Sequence, residues 1–324
     1  MRDSSYTLSE AHSPMSQAER RRGFTAIWLL AVMTVGLVGQ GTVWAQGEER
    51  SMVVSVLDSS GAPVEGLAPT DFVIAEDGTE REVLRVEPAT TPMQLAVLVD
   101  TSGAAAFATA NIREGLEAFV SRLHEDHEIA LVTFGNHPRI LVESTGQIDR
   151  LRDGIGQLFA FPDTAAYLLD ALVETTRGFE QREAPRPVIV AVTSDGIDYS
   201  SQSARRALEG LRANQVATHM IVLQNQANAA LRASVNDGGE VADHLYQRDL
   251  MLEQGPKETG GQRHDLLVSS ALVDTLDTLA AILTSQYEVV YSRPASLIPP
   301  EEIAVRMRRD DLSAQGTPVR QSGE

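Results

Sequence analysis

The sequence predicts an α/β fold: a doubly wound, mostly parallel sheet with helices on both faces, joined to a small flanking β-subdomain. Three observations predict it. Four runs, at 94–100, 128–134, 187–193 and 216–223, are almost continuously apolar, the pattern of strands covered on both faces. Stretches of helical period separate them, which calls for crossover connections and therefore βαβ units. On either side of this alternating block, short β-type segments and turn residues take over.

The chain opens on a different kind of segment. Arg20, Arg21 and Arg22 precede an uncharged stretch from Gly23 to Ala45, GFTAIWLLAVMTVGLVGQGTVWA, which ends in small residues. A basic flank, an apolar middle and a small-residue end mark a bacterial-type export signal, with Val43 and Ala45 suiting cleavage after Ala45. Met15 offers an alternative start. The apolar run is also close to the ~20 residues that cross a bilayer, so residues 24–44 retained as a membrane anchor are the rival reading. Under either reading the remaining chain is expected outside the cytoplasm, periplasmic or secreted.

Residues 46–92 read as a β-rich segment and linker. MVVSVLD alternates loosely, SSGAPVEG supplies turn residues, FVIAEDGTEREVLRV reads as a hairpin through Asp77-Gly78, and EPATTP is the linker. The α/β block spans 93–285, with helices expected at 106–124, 147–158, 165–179 and 202–212. RILVES at 139–144 follows a Gly135–Pro138 turn and is expected to return antiparallel at a sheet edge. The polar stretch from Gln224 to about Asp243 reads as an excursion, and DGGEVADH at 237–244 as a loop. Helix resumes near 270–285, and strands follow at 287–292 and 303–308. Segments 52–87 and 286–308 otherwise lack partners and are expected to pair, placing a C-terminal β segment at 286–310 and a disordered tail at 311–324.

Charge and composition exclude several classes. Among 324 residues there are 45 acidic and 27 basic side chains, a net −18. The segment before Gly23 carries four Arg against Asp3, Glu10 and Glu19, so the remainder holds −19. Such a surface repels phosphate backbones and anionic lipids, and no nucleic-acid partner is expected. Divalent cations and basic protein patches remain compatible. Cysteine is absent, which removes disulfides, thiolate metal sites and a Cys nucleophile. There is no GxSxG elbow, no Walker loop, no GxGxxG after a strand and no HExxH. Ser194 precedes an acid, but no His is placed to activate it, so no enzyme is expected. HEDH at 124–127 reads as a solvated turn, and His219, inside an apolar strand, as a hydrogen-bonded core residue.

In an open α/β sheet, ligands bind beyond the carboxyl ends of the strands. The first core strand ends at Asp100, with Ser102 two residues on; VIVAVT ends in Ser194-Asp195-Gly196; the loop before the 165–179 helix holds Asp163 and Thr164. Three separate loops thus bring acids and hydroxyls to one sheet edge. Oxygen-only ligands suit a hard cation such as Mg²⁺, near-octahedral at ~2.0–2.1 Å. Each residue also has a plainer reading: Asp100, Ser102 and Thr164 as helix caps, Asp195-Gly196 as a turn.

This arrangement resembles the von Willebrand factor type A family, whose metal-ion-dependent adhesion site is written Asp-x-Ser-x-Ser, then Thr, then Asp. Asp100, Ser102, Thr164 and Asp195 fall on those positions, and Ala104 stands where the second Ser belongs. DTAAYLLDAL resembles the family's Thr loop, VTSDGIDYSS its second Asp loop, and the match in order and interval runs over roughly 93–285. The flanking pieces DSSGAPVEGLAPTDFVIAEDG, ETGGQ and SQYEVVYS resemble exported bacterial proteins that carry this domain. The resemblance implies a Rossmann-like sheet, Mg²⁺ or Mn²⁺ at the site, and a partner protein's Asp or Glu completing the coordination. Ala104 removes one direct oxygen. Loss of even a supporting partner lowers metal affinity ~10–100-fold, so a weakened site is expected. The expected function is an exported, non-enzymatic, adhesion-type protein-interaction module. Its rivals are a metal-independent interaction or scaffold protein whose site has lost the ion, and an exported hydrolase.

Overall fold

Strand β1 (Glu48–Leu57) is followed by β2 (Phe72–Glu76), β3 (Thr79–Arg81) and β4 (Val83–Pro88). The alternating region then runs β5 (Gln94–Val99), α1 (Thr109–Leu123), β6 (Glu128–Thr133), β7 (Arg139–Thr145), α2 (Ile148–Gly156), α3 (Leu168–Gln181) and β8 (Pro187–Ser194). It continues through α4 (Ala204–Ala213), β9 (Ala217–Leu223), α5 (Gln226–Ala233), α6 (Glu240–Thr259), β10 (Arg263–Leu266) and α7 (Leu272–Thr284). Strands β11 (Tyr287–Arg293), β12 (Ile303–Met307) and β13 (Ser313–Pro318) close the chain's described part. This computed structural model describes residues 48–235, 239–295, 298, 300 and 302–319. The export-signal or anchor segment, 1–45, lies outside the described residues.

The central sheet has the order β10-β9-β8-β5-β6-β7. Its pairings are parallel except the last, where β7 returns antiparallel on β6. Successive side chains on a strand point to opposite faces. Leu95, Val97 and Val99 therefore pack against Leu116 of α1, Ile155 of α2 and Leu276 of α7. Ala96 and Leu98 pack the other way, against Leu172 of α3, Leu208 of α4 and Leu252 of α6. Both faces are covered, which is why every residue of β8 is buried and why these runs read as unbroken apolar sequence.

A third core, including Met52, Val54, Phe72, Ile74, Val289 and Leu312, belongs to two small sheets ordered β13-β1-β11-β4 and β12-β2-β3. Strands β1 and β4 pair antiparallel with β11, and β2 with β12. The β2–β3 hairpin turns on Asp77 and Gly78 at φ 47° and 76°, the two left-handed residues that match the twist of a tight hairpin.

Three expectations need correction. The excursion at 224–243 is mostly helical: α5 fills 226–233, and α6 begins at Glu240, inside the stretch read as a loop. Asn225 caps α5, its side-chain oxygen accepting from the Ala227 N–H at 2.7 Å, a signal available in the sequence as Asn before a run of helix formers. The disordered tail does not start at 311, because Ser313–Pro318 forms β13 against β1. Its polar sequence, SAQGTP, hides a strand whose stability comes from backbone pairing and from Leu312 and Ala314 on the third core. Finally, helix does not begin at 106 or 165. A 3-10 turn occupies Gly103–Ala108 before α1, and α3 starts only at Leu168, leaving both preceding loops free to shape the sheet edge.

Candidate functional site

At the carboxyl end of β5, Asp100 is 2% exposed and both its carboxylate oxygens accept hydrogen bonds from the protein. Oδ1 accepts from the Ser102 N–H at 2.9 Å; Oδ2 accepts from the Ser194 N–H at 2.9 Å and from the Ser194 hydroxyl at 2.7 Å. The acid that ends the strand therefore clamps β5 to the end of β8. It does not cap a helix. Beside it the Ser102 hydroxyl is buried with no hydrogen-bond partner among the described residues.

The Thr164 loop closes on the same place through the backbone. The Gly103 N–H donates to the Thr164 carbonyl at 3.2 Å, and the Phe161 N–H to the Thr101 carbonyl at 2.9 Å. The Thr164 hydroxyl turns back into its own loop, donating to the Phe161 carbonyl at 2.7 Å. Thr164 is not the cap of α3. Asp198, 1% exposed, takes that role: its Oδ2 accepts from the Leu168 N–H and its Oδ1 from the Ser200 N–H at 3.0 Å. Burial raises the Asp198 pKa above the usual carboxylate value, although the Ser200 and Leu168 bonds pull it back. Asp163 is exposed, at a left-handed φ of 65°.

Asp195, from the loop after β8, is held from the other side. Its Oδ1 accepts from the Asn225 N–H at 3.2 Å and from the Asn228 side-chain amide at 2.9 Å. The same amide nitrogen donates to the Ala104 carbonyl at 3.1 Å, so one asparagine of α5 bridges the Asp195 and Ala104 loops. The Ala104 methyl packs against Gly196, where a Cβ would fall 2.6 Å away. Loops from all three stretches therefore touch, and the four motif positions are carried by them.

Close packing of a fourth loop holds this arrangement. A Cβ on Gly135 would lie 2.4 Å from the Thr101 carbonyl carbon and 2.5 Å from the Ser102 nitrogen, both backbone atoms. Gly135→Ala is accordingly expected to cost ~1–3 kcal/mol of stability, as an overpacked site does, with the loss read from urea unfolding curves. A variant as stable as wild type would mean that the Ser102 loop yields freely.

Two residues of the site escaped sequence reasoning. Asn228 lay in the stretch read as a polar excursion. Arg248 lay in a helix not foreseen, although Arg248, Met251, Leu252 and Gly255 share the spacing of one helical face. Arg248 is 2% exposed; its Nη2 donates to the Ser194 carbonyl and its Nη1 reaches Asp249 Oδ1 at 3.1 Å. Burial pushes its pKa down, while Asp249, Asp198 and Asp100 pull it back and Arg232 opposes them.

Residues 95–197 match the sequence model of the von Willebrand factor type A domain. This stretch is a von Willebrand factor type A domain. Similar solved structures include the conserved hypothetical protein BatB from Bacteroides thetaiotaomicron, 12% identical, with 60% of this chain and 100% of that one covered and a TM-score of 0.42. A von Willebrand factor type A protein from Catenulispora acidiphila is 12% identical over 85% of this chain and 67% of its own, TM-score 0.45. The corresponding domain of the type V pili tip protein Mfa5 from Porphyromonas gingivalis is 11% identical over 60% and 96%, TM-score 0.44. No curated protein matches the chain.

The donor set of this type A domain is short of the free oxygens that a divalent ion asks for. A hard cation needs several free oxygens converging on one point. Here Ala104 offers no side-chain oxygen, both Asp100 oxygens are hydrogen-bonded by protein donors, and an amide N–H takes one of the two Asp195 oxygens. The buried Ser102 hydroxyl is left without a partner in the manner of a ligand awaiting its ion, and Asp195 Oδ2 accepts no hydrogen bond among the described residues. Among the described residues, no group of three or more His, Cys, Asp or Glu is placed to hold a metal. Two of the histidines serve the backbone instead: His127 Nδ1 accepts from the Met93 N–H at 3.3 Å, and His219 Nδ1 from the Gln262 N–H at 3.2 Å.

Proposed function

We propose that this chain is a non-enzymatic protein-interaction module, acting outside the cytoplasm, that docks an apolar protein surface on the rim of the strand-end site without a divalent ion. The observation that carries the reading is where the exposed apolar side chains lie. Among the described residues, most of the large ones sit on loops or helices beyond the carboxyl ends of the parallel strands: Phe107, Phe159, Phe161, Tyr199, Leu231 and Leu267. Phe161 and Phe159, more than half exposed, flank the Thr164 loop, and Phe107 lies three residues after Ala104. Exposed aromatic groups gathered on one rim mark interaction surfaces, whose cores are enriched in Phe and Tyr. The Arg113 guanidinium lies 4.4 Å from the Phe159 ring centre and also bonds the Leu158 carbonyl, which holds that ring in place.

A partner acid docking through Mg²⁺ or Mn²⁺ would instead use Asp100, Ser102, Thr164 and Asp195 as a metal site. The engaged carboxylates and Ala104 count against it, and without an ion an incoming acid meets Asp163 and Asp195 as like charges. Export rests on the basic flank and apolar run of residues 20–45. Among the described residues, no helix is long and apolar enough to cross a membrane. Ser194, buried on Asp100, and His219, buried in the core, are not placed to act as nucleophile and base.

The test compares cross-linked partners of the wild-type chain with those of Phe159→Ala/Phe161→Ala, in extracytoplasmic extract with and without EDTA. Leu84→Ala, on the small β-domain, is the control. Truncating two central aromatics is expected to lower capture at least ~10-fold, with Leu84→Ala and EDTA neutral. Capture that survives the double substitution, or that EDTA abolishes, overturns the proposal.

A further inference from the structure

Asp100 and Asp198 are both almost fully buried, at 2% and 1% exposure, at one end of the sheet. Buried carboxylates need a counter-charge or a full set of donors, since an uncompensated ion in such a place costs several kcal/mol or is neutralised. In a metal-binding arrangement, the counter-charge would arrive from solvent. Here a cation is already present, approaching from inside the fold. Arg248 projects from the buried face of α6 to the Ser194 carbonyl, the residue whose N–H and hydroxyl both hold Asp100. Its Nη1 pairs with Asp249 at 3.1 Å, and Asp198 and Asp100 act on the guanidinium more weakly from the site side.

We infer that Arg248 is the resident cation of this site, taking the place of a divalent ion beneath the strand-end acids. Three features agree. A guanidinium keeps its charge at any physiological pH, so compensation does not depend on metal supply. On the solvent side, Asn228 presents N–H to Asp195 and to the Ala104 carbonyl, so a donor stands where a cation would otherwise be drawn. Ala104 belongs to the same arrangement: with the charge supplied from below, no second hydroxyl is needed above. An ion added at Ser102 and Thr164 would also meet Arg248 as a like charge, in surroundings that screen it poorly. The orphaned Ser102 hydroxyl is then what is left of a ligand set whose cation has been replaced.

This inference rests on the ion-free part of the proposed function and says nothing of the aromatic rim, so its failure leaves the Phe159→Ala/Phe161→Ala result standing. The experiment is titration of the full chain with Mn²⁺, read by calorimetry and by melting temperature, for wild type, Ala104→Ser, Arg248→Met and the double variant Arg248→Met/Ala104→Ser. Wild type and Ala104→Ser are expected to stay silent. The double variant is expected to bind Mn²⁺ and to gain ~5–10 °C at saturating metal, reversed by EDTA. Folding of the double variant only when Mn²⁺ is added is the same result in stronger form. Should it fold in neither condition, Arg248→Gln/Ala104→Ser carries the expectation, because its amide keeps a donor for the Ser194 carbonyl. Binding by wild type, or by Ala104→Ser with Arg248 intact, overturns the inference. So does a folded double variant that ignores the metal.

Discussion

Arg186→Met is expected to melt ~6–10 °C below wild type, a loss of roughly 3 kcal/mol from a single side chain. Arg186 stands immediately before β8 and is 7% exposed. Its Nη1 donates to the Thr91 carbonyl at 2.9 Å and more weakly to the Ala89 carbonyl at 3.4 Å. Its Nη2 donates to the Leu283 carbonyl at 3.2 Å and to the Gln286 side-chain oxygen. Gln286 in turn donates to the Ser55 hydroxyl at 2.8 Å. One guanidinium therefore ties the linker, the end of α7 and the residue before β11, where the α/β block meets the small β-sheets. Burial lowers its pKa to about 10, which still leaves it charged at neutral pH. Methionine fills the volume but leaves these acceptors without a donor, and unsatisfied buried groups cost ~1–3 kcal/mol each. Arg186→Lys keeps the charge but loses the fork that spans both sides, so it should fall between the two. Thermal unfolding by circular dichroism decides it; a methionine variant within a degree of wild type would show that the junction is held by apolar packing alone.

The second large effect is a loss of stability in acid carried by His219. This residue is 1% exposed within β9, accepts the Gln262 N–H at Nδ1, and is pushed down to a pKa of about 3 by burial, with His264 adding to the shift. In the unfolded chain the imidazole returns to its ordinary value near 6.5. Above that value both states are neutral and His219 contributes no pH dependence. As pH falls below it, the unfolded state takes up a proton that the folded state refuses, so stability drops by ~1.4 kcal/mol per pH unit down to the folded value. Between pH 6 and 4 this amounts to roughly 2–3 kcal/mol. Burial lowers His264 and His127 in the same sense, which adds to the loss. The raised Asp198 works against it, since the folded state binds that proton first. Urea unfolding at several pH values measures the slope. His219→Gln, whose amide oxygen can still accept the Gln262 N–H, is expected to remove about one proton from it. An unchanged slope in that variant would place the acid sensitivity elsewhere.

Local pattern was enough to read the central strands, the antiparallel return of β7 and the Asp77-Gly78 hairpin, because each follows from the period or the turn chemistry of adjacent residues. The same holds for Asp100, Ser102, Thr164 and Asp195 as the positions that reach the sheet edge: a strand that stops on an acid announces its own end. Helix α6 escaped because its first turns are polar and its buried face includes an arginine, so its apolar period is blurred. Strand β13 escaped because a strand made of Ser, Gln, Gly and Thr is held by backbone bonds to β1, and sequence carries no record of which strand a backbone pairs with.

The α/β order, the three loops and the missing hydroxyl at Ala104 can all be read along the chain. Which groups satisfy the acids is settled by folding. Ser194 lies 94 residues from Asp100, and Asn228 lies 33 residues from Asp195. A carboxylate's state is set by the donors and charges within a few ångströms of it, and those arrive by folding from parts of the chain that share no local pattern.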